Sequence, residues 1–405
     1  MTDPGVRQAV IMAGGRGTRL RPLTDDRPKP MIAFHGKPFL EYLIEQLADQ
    51  GIRDIVLLLG YLPDVIERHF ADGTRWGVRI RYSITEPTNL TARRLLDAEP
   101  LLNDAFLLMY CDNYWPIDLP RHLDRYETSD CSAMVTVYAN HDRYSRDNVQ
   151  LDARENVARL DPTRESPGLQ GVEIGYAILR REHLRQLPPA GDAQVEHALY
   201  PSLAADGDLA AFVTRHRYYS VGALERLSET ERFLSRQPSV VLDRDGVLNV
   251  RPARAEYVRH PSEFHWLDGA LAALQLFHQA GYRVVIVSNQ AGIARGALAA
   301  DDLERVHGAM VAAASSAGGA IDAIYYCPHG WDDACECRKP RPGMLFQAQR
   351  ELALDLSRTP FIGDDERDGT AADAAGMPFY LVDAEHDLLS YAEQLTTNIQ
   401  SQAAS

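Results

Sequence analysis

The sequence reads as an α/β chain made of two successive Rossmann-like units. Short apolar runs of strand length alternate with stretches of helical periodicity. Each half opens on such a run followed by a loop rich in glycine or carboxylate, and a charged segment, Ser228–Ser239, stands between the halves. This alternation implies largely parallel sheets with helices on both faces. The 405 residues suffice for two or three domains, and 45% hydrophobic with 24% charged residues is the balance of a globular chain.

Taken in order, Ala9–Met12 is the first strand and runs into Gly14-Gly15-Arg16-Gly17. Phe39, Leu40, Leu43, Ile44 and Leu47 recur at helical spacing, with Gly51 as a stop signal. Ile55–Leu59 and Phe106–Tyr110 are further strands, and this first unit spans 1–227. Residues 228–239 form a linker or linker helix. The second unit, 240–395, begins with the strand Val240–Leu242. Asp268 is placed to cap a helix through Leu271, Leu274 and Phe277, Gly281 ends it, and Val284–Val287 is the next strand. Residues 396–405 are small and polar and read as a disordered tail.

Lys plus Arg total 42 against 57 Asp plus Glu, a net charge of −15. That argues against non-specific nucleic-acid and membrane-surface binding, which need basic patches. The apolar runs are strand-sized, far short of the ~18 residues of a membrane helix. No export signal is read, so the cytoplasm is the expected compartment. Cys327, Cys335 and Cys337 fall within eleven positions, which favours a metal site over disulfides, while Cys111 and Cys131 read as core thiols.

In the second half, Val240-Val241-Leu242-Asp243-Arg244-Asp245-Gly246 sets two carboxylates two apart at a strand end, where ligands bind in open parallel sheets. Three elements follow in order: Ser288-Asn289-Gln290 after a strand, Lys339 in Cys-Arg-Lys-Pro, and Gly363-Asp364-Asp365 after Phe361-Ile362, with Asp368 four beyond Asp364. This constellation resembles the haloacid dehalogenase (HAD) superfamily, in its branch of heptose-bisphosphate and histidinol-phosphate phosphatases, from about Val240 to Tyr391. The resemblance implies a small or absent cap and an open site for small phosphorylated substrates. It implies Asp243 as nucleophile, forming an aspartyl-phosphate, and Asp245 as general acid and base. Ser288, Asn289 and Lys339 would hold the phosphoryl group, and Arg338 the substrate. Mg²⁺ would be held by Asp243, the Asp245 carbonyl and Asp364. Cys327, His329, Cys335 and Cys337 form C-x-H-x₅-C-x-C, a closed tetrahedral set for structural Zn²⁺ just before Arg338 and Lys339.

In the first half the string Gly14 to Thr24, then Arg27-Pro28-Lys29-Pro30, resembles the sugar-1-phosphate nucleotidyltransferases of the heptose-1-phosphate guanylyltransferase type, over about Gln8 to Leu227. The resemblance implies that Gly14, Gly15 and Gly17 bring backbone N–H groups to phosphates. Arg19 would neutralise the β- and γ-phosphates, Lys29 would bridge the α-phosphate and the sugar phosphate, and Asp112 would hold Mg²⁺. Three segments depart from the family pattern. Leu90-Thr91-Ala92-Arg93 stands where it has Gly-Thr-Ala-Gly, its sugar-phosphate lysine has only Arg164 as a substitute, and Ser220-Val221-Gly222 replaces Asp-Ile-Gly. Glu173 and Tyr176 fall at sugar-facing or core positions.

The two resemblances together imply a bifunctional enzyme of nucleotide-sugar synthesis. It would remove the C7 phosphate of a heptose 1,7-bisphosphate, then transfer a nucleotide, with GTP the expected donor, to heptose 1-phosphate. One alternative keeps only the phosphatase, with the first half binding a sugar nucleotide as a regulatory module. Another is histidinol-phosphate phosphatase.

Overall fold

Strands built from Val, Ile and Leu runs form two sheets in the computed structural model, which describes residues 5–403, with side chains to Thr397. The first sheet has seven strands: β1 (Gln8–Met12), β2 (Asp54–Leu59), β3 (Arg79–Ile84), β4 (Ala105–Tyr110), β5 (Ala133–Tyr138), β6 (Val172–Arg180) and β7 (Leu209–Thr214), in the order β7-β5-β6-β4-β1-β2-β3. All neighbours run parallel except β6, which is antiparallel to both β4 and β5. The reason lies in its connection. Between Tyr138 and Val172 there is a hairpin, Val149–Leu151 with Val157–Leu160, and no helix to carry the chain back across the sheet. The chain therefore re-enters from the edge at which β5 ended.

Strand alternation sorts the core onto two faces. Val10, Met12, Val56, Leu58, Phe106 and Leu108 share one apolar cluster with Ala92 and Leu95 of α2 and with Val195 and Leu199 of α3. Here α1 is Phe39–Asp49, α2 is Thr91–Asp97 and α3 is Val195–Ala205. The intervening Ala9, Ile11, Ile55, Leu57, Leu107 and Met109 are just as buried. Phe39, Leu40, Leu43, Ile44 and Leu47 all face inward from α1.

Helix α4 (Leu224–Leu234) takes up most of the stretch read as a linker. Its Phe233 stacks on Tyr219 with ring centroids 3.7 Å apart, so it packs as part of the first body. Contacts divide the chain into units Met1–Ser235 and Arg236–Ser405.

The second sheet is wholly parallel: β8 (Ser239–Leu242), β9 (Arg283–Asn289), β10 (Ala323–Cys327), β11 (Phe361–Gly363) and β12 (Phe379–Leu381), ordered β10-β9-β8-β11-β12. Its helices are α5 (Ala270–Gln279), α6 (Ala300–Ser316), α7 (Gly343–Leu352), α8 (Glu366–Ala374) and α9 (Leu388–Ala403). Val240, Leu242, Val284 and Ile286 pack toward α5, α6 and α9. Val241, Val285 and Val287 pack the opposite way, toward α7 and α8. Asp268 does not cap α5: Gly269, in the left-handed region at φ 78°, is the N-cap and no side chain bonds there. Residues 396–403, expected to be disordered, continue α9 in their backbone, and 404–405 lie outside the described residues. Strand order reverses at β8, with β9 on one side and β11 on the other, and such a switch point opens a crevice at the carboxyl ends of the strands.

Candidate active sites

At the carboxyl end of β8, Asp243 is held first by its backbone, whose N–H donates to the Ile362 carbonyl at 2.9 Å. Its Oδ1 lies 2.8 Å from Lys339 Nζ, which also reaches Asp368 Oδ1 at 2.7 Å and the Val287 carbonyl at 3.1 Å. All three ammonium protons thus have acceptors, in a side chain only 4% exposed. Burial pushes the Asp243 carboxyl up; Lys339 opposes this, Asp368 adds to it, and the result is about 7.

Asp364 follows β11. Burial raises its carboxyl against the pull of Arg251, which pairs with it and lies 3.2 Å from Asp365. Gly246, at φ 97°, lets this turn close, because a Cβ there would fall 1.6 Å from Asp364 Oδ2.

Carboxylate oxygens of Asp243, Asp364 and Asp368 lie within 4.8 Å of one another. Asp368 Oδ2 is buried with no hydrogen-bond partner among the described residues. Crowded carboxylates, an orphaned oxygen and an all-oxygen donor set together fit a hard divalent cation.

Asp245 lines the same cavity as Asp243. Regular strand ends at Leu242, and its side chain is caged by Arg244 (2.9 Å), by Asn249 Nδ2 (3.0 Å) and by Gln290 Nε2 (3.1 Å). Burial alone would raise its carboxyl, but Arg244, with the hydrogen bonds from Asn249 and Gln290, outweighs burial and leaves it below the ordinary value. Arg244 itself is fully buried. Ser288 Oγ, also buried, accepts from Gln290 Nε2 at 2.8 Å. Asn289 spends its amide on the backbone of Lys339, donating to the carbonyl (3.0 Å) and accepting from the N–H (3.1 Å). It thereby pins the lysine's loop to the end of β9.

Asp243, Asp245, Ser288, Asn289, Lys339 and Asp368 open onto a cavity of about 780 Å³ that is also lined by Arg251, Arg254, Arg338, Arg341 and Arg367. Arg338 Nη1 is buried without a partner among the described residues, poised for an acceptor. Arg251, Arg254 and Arg367 carry no motif, and sequence reasoning passed over them.

The Cys/His loop closes on itself at the end of β10. Cys337 Sγ is 3.3 Å from Cys327 Sγ and 3.6 Å from Cys335 Sγ, Cys327 and Cys335 are 3.6 Å apart, and His329 Nδ1 is 3.2 Å from Cys337 Sγ. Disulfide sulfurs stand about 2 Å apart. A tetrahedral ion with bonds of about 2.3 Å holds its ligands at about 3.7 Å, close to these separations. The four residues fit a metal.

In the first unit, Gly17 takes the left-handed conformation (φ 62°) that starts the turn Thr18–Leu20 bearing Arg19. Lys29 Nζ meets Asp112 Oδ2 at 2.6 Å, bringing together residues 83 positions apart. Ser220 pairs across from Asn113, next to Asp112. A Cβ on Gly222 would lie 3.1 Å from Ser220 Oγ, 3.9 Å from Asp112 Oδ2 and 4.0 Å from an Arg19 nitrogen. Arg19, Lys29, Asp112 and Ser220 therefore converge. Burial lifts the Glu173 carboxyl to about 8, although the Gly175 N–H donates to it. Tyr176 is core: its hydroxyl bridges the Asn113 carbonyl and the Trp115 N–H. Arg93 stays outside, paired with Asp97, whereas Arg94 turns inward and is 3% exposed.

Residues 8–169 match the nucleotidyl transferase family model and residues 336–397 the HAD-hydrolase-like model. The D-glycero-beta-D-manno-heptose-1,7-bisphosphate 7-phosphatase of Bordetella bronchiseptica is 43% identical over 143 residues, covering 35% of this chain and 79% of that protein. The mannose-1-phosphate guanylyltransferase of Mycobacterium tuberculosis is 31% identical over 201 residues, or 49% of this chain, and the chain spans 56% of that relative. A crystal structure of a D,D-heptose 1,7-bisphosphate phosphatase from B. bronchiseptica with magnesium and phosphate is 38% identical, covering 40% of this chain and 99% of that one, with a TM-score of 0.38. An N-terminal nucleotidyl transferase domain thus precedes a HAD-type phosphatase, and through the latter the chain belongs to the family of the D-glycero-beta-D-manno-heptose-1,7-bisphosphate 7-phosphatases.

Proposed function

We propose that the chain hydrolyses the C7 phosphate of D-glycero-D-manno-heptose 1,7-bisphosphate and then transfers a guanylyl group to the heptose 1-phosphate it has made. The observation that carries the first step is Lys339 Nζ set between Asp243 and Asp368 beneath an arginine-lined cavity. Asp243 Oδ attacks the phosphorus, the P–O bond to C7 breaks, and the alkoxide takes a proton from Asp245. Water then attacks the aspartyl-phosphate, giving its proton back to Asp245, and inorganic phosphate leaves. Its cage holds the Asp245 carboxyl below the ordinary range in the free site; as the substrate's phosphoryl charge settles beside it and raises its proton affinity, Asp245 takes up from solvent the proton it then gives to the alkoxide.

Lys339 would neutralise the phosphoryl oxygens and the Ser288 hydroxyl would donate to one of them, while Arg338, its Nη1 unpaired among the described residues, would bind the substrate. Asp243, the Asp245 carbonyl and Asp364 would hold Mg²⁺, which supplies charge neutralisation between nucleophile and phosphate. The Cys327, His329, Cys335 and Cys337 loop would hold structural Zn²⁺ and stiffen the segment carrying Arg338 and Lys339.

In the first unit, Arg19 and Lys29 would bind the donor phosphates and the sugar phosphate, with Asp112 as the Mg²⁺ ligand. Positioning and charge stabilisation then suffice for displacement at the α-phosphorus. A second reading, a phosphatase with a nucleotide-sugar-binding first unit, is favoured by Ser220 standing beside Asp112 without a carboxylate.

The deciding experiment supplies heptose 1,7-bisphosphate, histidinol phosphate and each of the four ribonucleoside triphosphates, with phosphate and pyrophosphate followed separately. The proposal expects phosphate from the bisphosphate and pyrophosphate only when GTP is also present. Phosphate without pyrophosphate leaves the second reading. Preference for histidinol phosphate removes the heptose assignment.

A further inference from the structure

Three loops meet at one guanidinium in the first unit. Arg94 of α2 donates from Nη1 to the Leu59 carbonyl (2.7 Å) and the Thr85 hydroxyl (2.6 Å), and from Nη2 to the carbonyls of Gly14 (3.2 Å), Glu86 (3.1 Å) and Pro87 (3.4 Å). These acceptors follow β1, end β2 and follow β3, so one side chain ties together the carboxyl ends of three neighbouring strands. Room for it has been made twice. A Cβ on Gly14 would lie 2.2 Å from Arg94 Nη1, and one on Gly60 would lie 2.3 Å from it. Gly14 is thus small because of what lies beneath the loop; over Gly15, by contrast, a Cβ meets nothing within 4 Å.

Burying a guanidinium is costly, and its recorded partners are carbonyls and a hydroxyl with no carboxylate among them. Its effect on the backbone follows from peptide planarity. In a trans peptide the C=O and the following N–H point in opposite directions. With the Gly14 and Pro87 carbonyls drawn down onto Arg94, the N–H groups of Gly15 and Thr88 point away from the core, and both residues are exposed. Two amide donors are thereby turned toward solvent from different loops, with a buried positive charge behind them. That arrangement suits a polyphosphate.

We propose that Arg94 is a positioning residue for the donor nucleotide, aiming the Gly15 and Thr88 amides at its phosphates. This rests on reading the first unit as a nucleotide site. The test titrates a fluorescent GTP analogue with Mg²⁺ into the full chain, using Lys29→Ala to mark the signal that belongs to the first unit. Arg94→Lys keeps the charge but cannot span three loops. It is expected to weaken the marked binding at least tenfold while the melting temperature stays within a few degrees, and Arg94→Met is expected to weaken it further. Adding millimolar guanidinium to Arg94→Gly is expected to recover part of the lost affinity. A folded Arg94→Lys that binds within twofold of wild type overturns the proposal. If Arg94→Lys does not fold, absence of guanidinium rescue in a folded Arg94→Gly overturns it instead. If wild type shows no binding that Lys29→Ala removes, the nucleotide reading of the unit has failed, and this inference with it.

Discussion

Asp243 is pulled two ways: Lys339 favours its charged form, while burial and the crowding carboxylate of Asp368 favour the neutral one. Replacing it with Asn keeps size and shape while removing the attacking oxygen's charge. Asp243→Asn is expected to lower phosphate release at least a thousandfold with the fold intact, checked by steady-state phosphate release and circular dichroism. Activity near wild type would eliminate the covalent route. Residues of this kind were legible because their chemistry is local: D-x-D-G, a lysine in R-K-P and G-D-D at strand ends name themselves. Arg251 and Arg94 were not. Arg251 matters through Asp364 and Asp365, more than a hundred positions away, and Arg94 through three loops. Arg93, one position earlier, looked like the consequential departure, and only the helix phase of α2 separates the two.

The Cys/His loop is the element on which the phosphatase site leans. It lies between β10 and Lys339, and the far side of Lys339 is clasped by Asn289. Cys335→Ser should release bound zinc, lower the melting temperature and raise KM for the bisphosphate severalfold. Elemental analysis and thermal unfolding read these effects, and protein prepared without chelator that carries no zinc would contradict them. This loop was readable from spacing alone, since four ligands in eleven positions have few other uses. The direction of β6 was not readable. Its apolar run resembles any buried strand, and orientation was decided by the missing crossover helix. Asp268 failed as a cap because Gly269 supplies the left-handed turn that opens α5.

At the scale of the molecule, the chain divides into two units, and each proposed site draws its residues from one of them. Loss of one reaction should therefore leave the other. Arg19→Ala and Asp112→Ala are each expected to cut pyrophosphate formation at least a hundredfold with phosphate release unchanged. Coupled assays on the same preparation check this. Ser220→Asp should keep or raise the transfer rate, if water now fills the position of a second acid beside Asp112. The two-unit α/β plan was visible in the alternation of runs and in the difference between the two opening motifs. Strand order was not, because sequence periodicity records which side of a strand is buried but not which strand lies beside it.

The strand order of the second sheet bears on how the chain is made. β8 is synthesised first and sits in the middle, with Leu242 paired to Ile286 on one flank and Ile362 on the other. As the chain leaves the ribosome, its first flank arrives with β9, but its second waits until the Cys/His loop and α7 have also emerged. Until then the nucleophile's strand has one open edge, and the Asp243 amide lacks its Ile362 acceptor. Nascent chains stalled before Phe361 would be prone to pair that edge with one another. Phosphatase competence is therefore a property acquired late in translation, after the nucleotidyl transferase half has had its full complement of strands.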